Sequence, residues 1–122
     1  MTKGQIESQI TESMTRFERE FLGKGPQYAR TFIFDELVVV RLKGLMSQAE
    51  MRLCKAQEGI DLFKQMRSKL VEDSSDDINR LIAEACGCEV ISMHTDISSR
   101  TGERVFVFTM ERNLEEGLGV DS

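Results

Sequence analysis

The stretch Gly23–Gly44, GKGPQYARTFIFDELVVVRLKG, holds the only proline of the chain and its densest run of β-branched and aromatic residues. Gly23-Lys24-Gly25-Pro26 breaks the chain. Glycine permits positive φ, proline fixes its own φ, and the residue before proline is driven away from helix. Ala29–Phe34 and Leu37–Leu42 then read as strands, because Phe, Ile and Val suit a pleated, half-buried surface. Asp35-Glu36 between them is short and polar, which predicts an antiparallel hairpin, although Glu36 stands where a standard two-residue loop favours glycine. If Gly25 holds a conformation closed to side chains, a β-branched replacement there destabilises the turn.

The two faces of the second strand constrain the fold further. Val38, Val40 and Leu42 share one side; Leu37, Val39 and Arg41 share the other. A strand with one wet face should alternate apolar and polar residues, and this one stays apolar on both faces until Arg41. Its second face requires a cover, which in a chain of 122 residues can come from another copy. The last strand, Arg104–Glu111, repeats the pattern, with Phe106, Phe108 and Met110 opposite Val105, Val107 and Thr109.

The remaining elements follow from periodicity. Ile6, Ile10, Met14, Phe17 and Phe21 form one stripe of a helix over Thr2–Leu22. Ser47 and Glu50 make the capping box of a second helix. Gly59 predicts a kink or break in it, after which Ile60, Phe63, Met66, Arg67 and Leu70 resume a stripe, with Arg67 reaching past its edge. Asp73-Ser74-Ser75-Asp76-Asp77 reads either as a solvated bend, since Asp and Ser prefer caps to helix interiors, or as the exposed face of one long helix. Ile78, Leu81, Ile82 and Ala85 form the inward face of a further helix that ends at Cys86-Gly87-Cys88. In the strand Glu89–Ile97, Ile91, Met93 and Ile97 point one way, and Ser92, His94 and Asp96 the other. The order α-β-β-α-α-β-β predicts an α+β domain of two layers, a mainly antiparallel four-stranded sheet with helices on one face. Residues 1–114 form this single domain, and 115–122 read as an acidic, disordered tail.

Charge and composition exclude several functions. A net charge of −5 repels nucleic acid, whose phosphates need a basic surface. No apolar run approaches the about 20 residues of a membrane helix, so direct membrane insertion is not expected. MTKGQIESQITE lacks an apolar signal region, which predicts a cytoplasmic protein. Three cysteines fit reduced thiols better than a disulfide framework.

No catalytic residue, metal site or cofactor is expected. Lys24, Gly25 and Arg30 could form an anion or small-ligand site from exposed amides and two cations. The Walker spacing is missing, however, and strands follow where a helix should. Ser92, His94 and Asp96 share a strand face, but two ligands do not make a structural zinc site, and Cys86-Gly87-Cys88 has one intervening residue where zinc fingers have two or more. Asp73, Asp76 and Asp77 lack the glycine and terminal glutamate of a calcium loop.

G-x-G-P-x-x-A-R, formed by Gly23, Gly25, Pro26, Ala29 and Arg30, is followed by Asp35 and Leu37–Val40. Gly44-Leu45 then precedes a helix carrying Glu50, with Gly87, Asp96 and Phe106–Phe108 further on. From about Ile6 to Leu114 this pattern resembles the MpsC family. The chain departs from it at Met46-Ser47, where many relatives have Thr-Pro or Thr-Ala; Ser47 keeps the capping role. The resemblance implies a non-enzymatic cytoplasmic accessory or regulatory subunit of a membrane sodium-translocating or inorganic-carbon uptake system. Such a subunit would sit at the inner face of the membrane through a protein partner. The expected self-partner is a second copy, in a homodimer built on Leu37, Val39, Arg41, Val105 and Val107. The alternative is a small-ligand or anion sensor using Lys24 and Arg30.

Overall fold

The computed structural model describes residues 1–116; most of the expected acidic tail lies outside them. Helix α1 (Lys3–Phe21) leads to strands β1 (Tyr28–Phe34) and β2 (Leu37–Lys43). Helices α2 (Gln48–Leu53) and α3 (Gln57–Cys86) follow, then strands β3 (Val90–Ile97) and β4 (Arg104–Met110). The four strands form one antiparallel sheet in the order β1-β2-β4-β3, as the α+β reading expected.

A reciprocal cap starts α1: the Thr2 hydroxyl accepts from the Gln5 amide and the Gln5 side chain from the Thr2 amide. Its stripe of Ile6, Ile10, Met14 and Phe17 is buried. Phe21, expected on the same stripe, is 66% exposed at the last position of the helix and lies against Phe17 with ring centroids 5.0 Å apart. Gly23, not Gly25, takes the positive φ, at 84°. A Cβ on Gly25 would meet Arg19 only at ordinary contact distance, so the conformational requirement falls two residues earlier than expected.

The β1–β2 hairpin uses the two-residue loop Asp35-Glu36, with Asp35 at φ 55°, a left-handed conformation that Asp tolerates. The returning chain secures this loop. Met110 donates to the Glu36 carbonyl and Leu114 to the Asp35 carbonyl, both at 2.8 Å. Glu115 accepts from the Asp35 amide and pairs with Lys3 at 2.7 Å, so this first residue of the expected tail is engaged with the body.

The helical layer differs from expectation in three places. The break falls at Cys54–Ala56, before Gly59, which is buried in the first turn of α3. The Asp73–Asp77 bend is absent, since α3 runs unbroken for 30 residues. Val71 and Ile78, on either side of the run, are both buried on one face, and that burial outweighs the weak preference of Asp and Ser for caps. Ser75 bonds back to the Glu72 carbonyl, and Lys69–Asp73 and Arg80–Asp77 pair along the surface. Thirdly, Arg67 is buried, bonding Glu50 with two nitrogens at 2.9 Å and the Leu45 carbonyl at 3.1 Å. Glu50 thus closes the expected box with Ser47 and anchors α2 to α3. Gly87, at φ 70°, ends α3 and donates to the Ala83 carbonyl.

Val38, Val40, Leu42, Phe106, Phe108 and Met110 face the helices and are almost fully buried. A register shift between Val90 and Ser92 breaks the alternation of β3. Met93 and Ile97 point inward as expected, but Ile91, inside the bulge, is 65% exposed. At the opposite edge, Glu7 of α1 accepts the β1 amide of Ile33 at 2.8 Å, and Thr11 and Thr31 share a hydroxyl hydrogen bond.

Candidate functional site

With the helices on one side, the other face of the sheet lacks a second layer among the described residues. Its side chains form rows across the strands, set by the register. One row runs Phe34, Leu37, Thr109, Ser92; the next runs Phe32, Val39, Val107, His94; the third runs Arg30, Arg41, Val105, Asp96. The second row is apolar except for His94, and the first is apolar at its β1 and β2 positions. Phe32 and Phe34 stack with centroids 6.2 Å apart, and Phe34 is 56% exposed. The third row is dipolar, with cations towards β1 and a carboxylate on β3. Arg41 pairs with Glu103 at 2.5 Å, and Arg30 lies over the Phe32 ring, 4.8 Å from its centroid. Asp96 bonds Lys64 of α3, which holds its carboxyl below the ordinary value despite partial burial.

The five residues expected at an interface, Leu37, Val39, Arg41, Val105 and Val107, all lie on this face and are half-buried. The expected anion-site residues have different neighbours. The Lys24 ammonium donates to the Met46 carbonyl at 2.8 Å, whereas Arg30 is on the open sheet face. Gly25 packs beside Arg19. Cys86 and Cys88 are buried at the end of α3, and burial, with Cys88 adding to it, pushes the Cys86 thiol up to about 12. His94 is exposed on the open face, so thiols and imidazole do not share a site.

Sequence reasoning missed two buried charges under the helices. Glu18 is 1% exposed and Arg104 2%. The Arg104 Nη1 donates to the Thr95 hydroxyl at 2.9 Å. Neither carboxylate oxygen of Glu18, nor Nε of Arg104, has a hydrogen-bond partner among the described residues. Burial raises the Glu18 carboxyl above its ordinary value, with Arg104 and then Arg67 opposing the shift. Both residues were detectable by position. Glu18 follows Met14 by one helical repeat, and Arg104 shares the inward parity of Phe106 and Phe108.

The chain matches the family model described as "Na+-translocating membrane potential-generating system (MpsC)" over residues 2–112. It belongs to the MpsC family. The match to MpsC covers all seven helices and strands. The chain is 43% identical to the uncharacterized protein YbcI of Bacillus subtilis (strain 168), over 96% of this chain and 94% of that one. It is 24% identical to the uncharacterized protein YrhF of the same strain, over 88% and 89% respectively. No solved structure matches.

In this MpsC domain the Glu18 environment gives a signed pH dependence. A raised folded-state value contributes stability that is present below the ordinary carboxylate range and lost as pH rises through the folded value. Glu18→Gln is therefore expected to remove a decline in stability as pH rises above the ordinary carboxylate range. Urea midpoints measured across that range test this, and parallel profiles for wild type and variant would count against it.

Proposed function

We propose that this MpsC-family domain is a non-enzymatic accessory subunit of a membrane sodium-translocating or inorganic-carbon uptake system. It acts as a cytoplasmic homodimer, held at the membrane's inner face through a protein partner. The family description and the absence of any span long and apolar enough to cross a membrane among the described helices support attachment through a partner. The separation of the inert Cys86 from His94 supports a role in binding over thiol chemistry.

The observation that carries the dimer is the open sheet face. Phe32, Phe34, Leu37, Val39, Val105 and Val107 form a contiguous apolar patch, the kind of surface that marks an interface. The patch is complementary to itself. A two-fold axis running along the strands between β2 and β4 superposes β1 of one copy on β3 of the other. It lays Val39 over Val107 and brings Arg30 over Asp96, matching the two ends of the dipolar row.

Light scattering at micromolar concentration is expected to give twice the chain mass. Val39→Lys and Val107→Lys are expected to give the monomer with secondary structure intact, because both positions are half-buried within one copy. A monomeric wild type would overturn the dimer. The accessory role is tested separately by purifying the tagged protein from its native membranes. Recovery with integral sodium- or carbon-translocating subunits is expected, and recovery only as free dimer would overturn that role.

A further inference from the structure

A groove of about 420 Å³ lies between α3 and the outer strand β3, at the sheet edge, where His94 and Asp96 of the open-face rows also border it. Ser68, Val71 and Ser75 line it from the helix; Thr95, Ile97 and Arg104 line it from the sheet. We infer that this groove binds a small monocarboxylate, whose carboxylate is received by the Arg104 guanidinium and whose short apolar tail lies against Val71 and Ile97.

Arg104 is the basis of the assignment. A guanidinium this deeply buried is costly unless an anion or a full set of acceptors compensates it. Its Nη1 is held by Thr95, which fixes the orientation of the group, while its Nε has no partner among the described residues. Its countercharges within the chain are Glu18, whose carboxyl the same burial raises, and Asp96, which is shared with Lys64. Neither hydrogen-bonds the guanidinium among the described residues, so the cation lacks a direct ion pair.

The surroundings select the anion. A planar guanidinium matches a carboxylate through paired hydrogen bonds. The hydroxyls of Thr95, Ser68 and Ser75 supply further polar contacts, and Val71 and Ile97 supply apolar wall. Glu72 and Asp96 also line the groove, and both residues are largely exposed. Asp96 is engaged by Lys64, but Glu72 has no ion-pair partner among the described residues. These carboxylates disfavour a doubly charged ligand such as phosphate more than a singly charged one. The volume falls within the range of small-molecule sites.

Titration of the full chain with sodium butyrate, followed by amide NMR, tests the inference. Saturable shifts are expected at Thr95, Ile97 and Arg104, with a midpoint on the order of 1 mM. Sodium phosphate at equal ionic strength is expected to shift the same amides much less. Arg104→Gln should weaken the butyrate midpoint about tenfold or more, the scale of a lost charge-assisted hydrogen bond. Ser68→Trp, made at an exposed position on α3, should block the groove without touching the core and abolish the shifts. It decides the matter if the Arg104 variant does not fold. No saturation with butyrate, an equal response to phosphate, or unchanged binding in Ser68→Trp would each overturn the assignment.

Discussion

Replacing Gly59 by alanine is expected to lower stability by about 3 kcal/mol or more, the upper end of what overpacking costs. A Cβ at this position would stand 1.7 Å from the Leu53 carbonyl oxygen and 2.6 Å from its carbon. Both are backbone atoms, so no rotamer change relieves the overlap, and the elbow between α2 and α3 has to open. The sign makes this test sharp. In an unconstrained helix the same replacement stabilises by about 1 kcal/mol. Chemical denaturation of Gly59→Ala therefore distinguishes a close-packed elbow from a loose linker, and a raised midpoint would show that α2 is not held against α3 in solution.

The second large effect is expected at Arg67. Arg67→Met removes the cation from a buried pair and leaves the Glu50 carboxylate and the Leu45 carbonyl without their partner. Breaking such a pair from one side costs about 3–5 kcal/mol, most of it from the charge left behind. Adding Glu50→Gln should then recover part of the loss. If the double variant is no more stable than Arg67→Met, the two side chains are not coupled. The pair also predicts a pH limit. Burial alone would raise the Glu50 carboxyl, but the bonds from Arg67 and Ser47 outweigh it and hold the group below its ordinary value. Its contribution is therefore present above the ordinary carboxylate range and is lost as pH falls through the folded value.

These two sites mark the limit of what the sequence disclosed. The strands and their faces were legible because a period of two in Leu37–Lys43 and Arg104–Met110 assigns every side chain to a side. The bulge at Val90/Ser92 was not, since one extra residue reverses parity without a compositional sign, and Ile91 was placed inward. The unbroken α3 was hidden for a different reason. Asp73–Asp77 has the local chemistry of a bend, and only the burial of both Val71 and Ile78 on one face overrides it. Gly59 was recognised as unusual but explained as a helix interruption, because its contact is with a residue before the break. The open face was legible from the doubly apolar strands. The groove was not, since Arg104 and the α3 residues that line it lie far apart in sequence.

The treatment of the two sheet margins has a consequence for how copies of the chain can associate. An uncovered outer strand is a template for adding further strands, and that route has no natural end. Here Glu7 occupies an amide of β1 with a carboxylate, and the bulge in β3 disrupts the outermost ladder at the other side. Both routes to open-ended growth are thereby obstructed, while the broad surface between them stays available. In the homodimer proposed above, association is channelled into a contact that is used up once two copies meet, which favours a finite pair over a fibre.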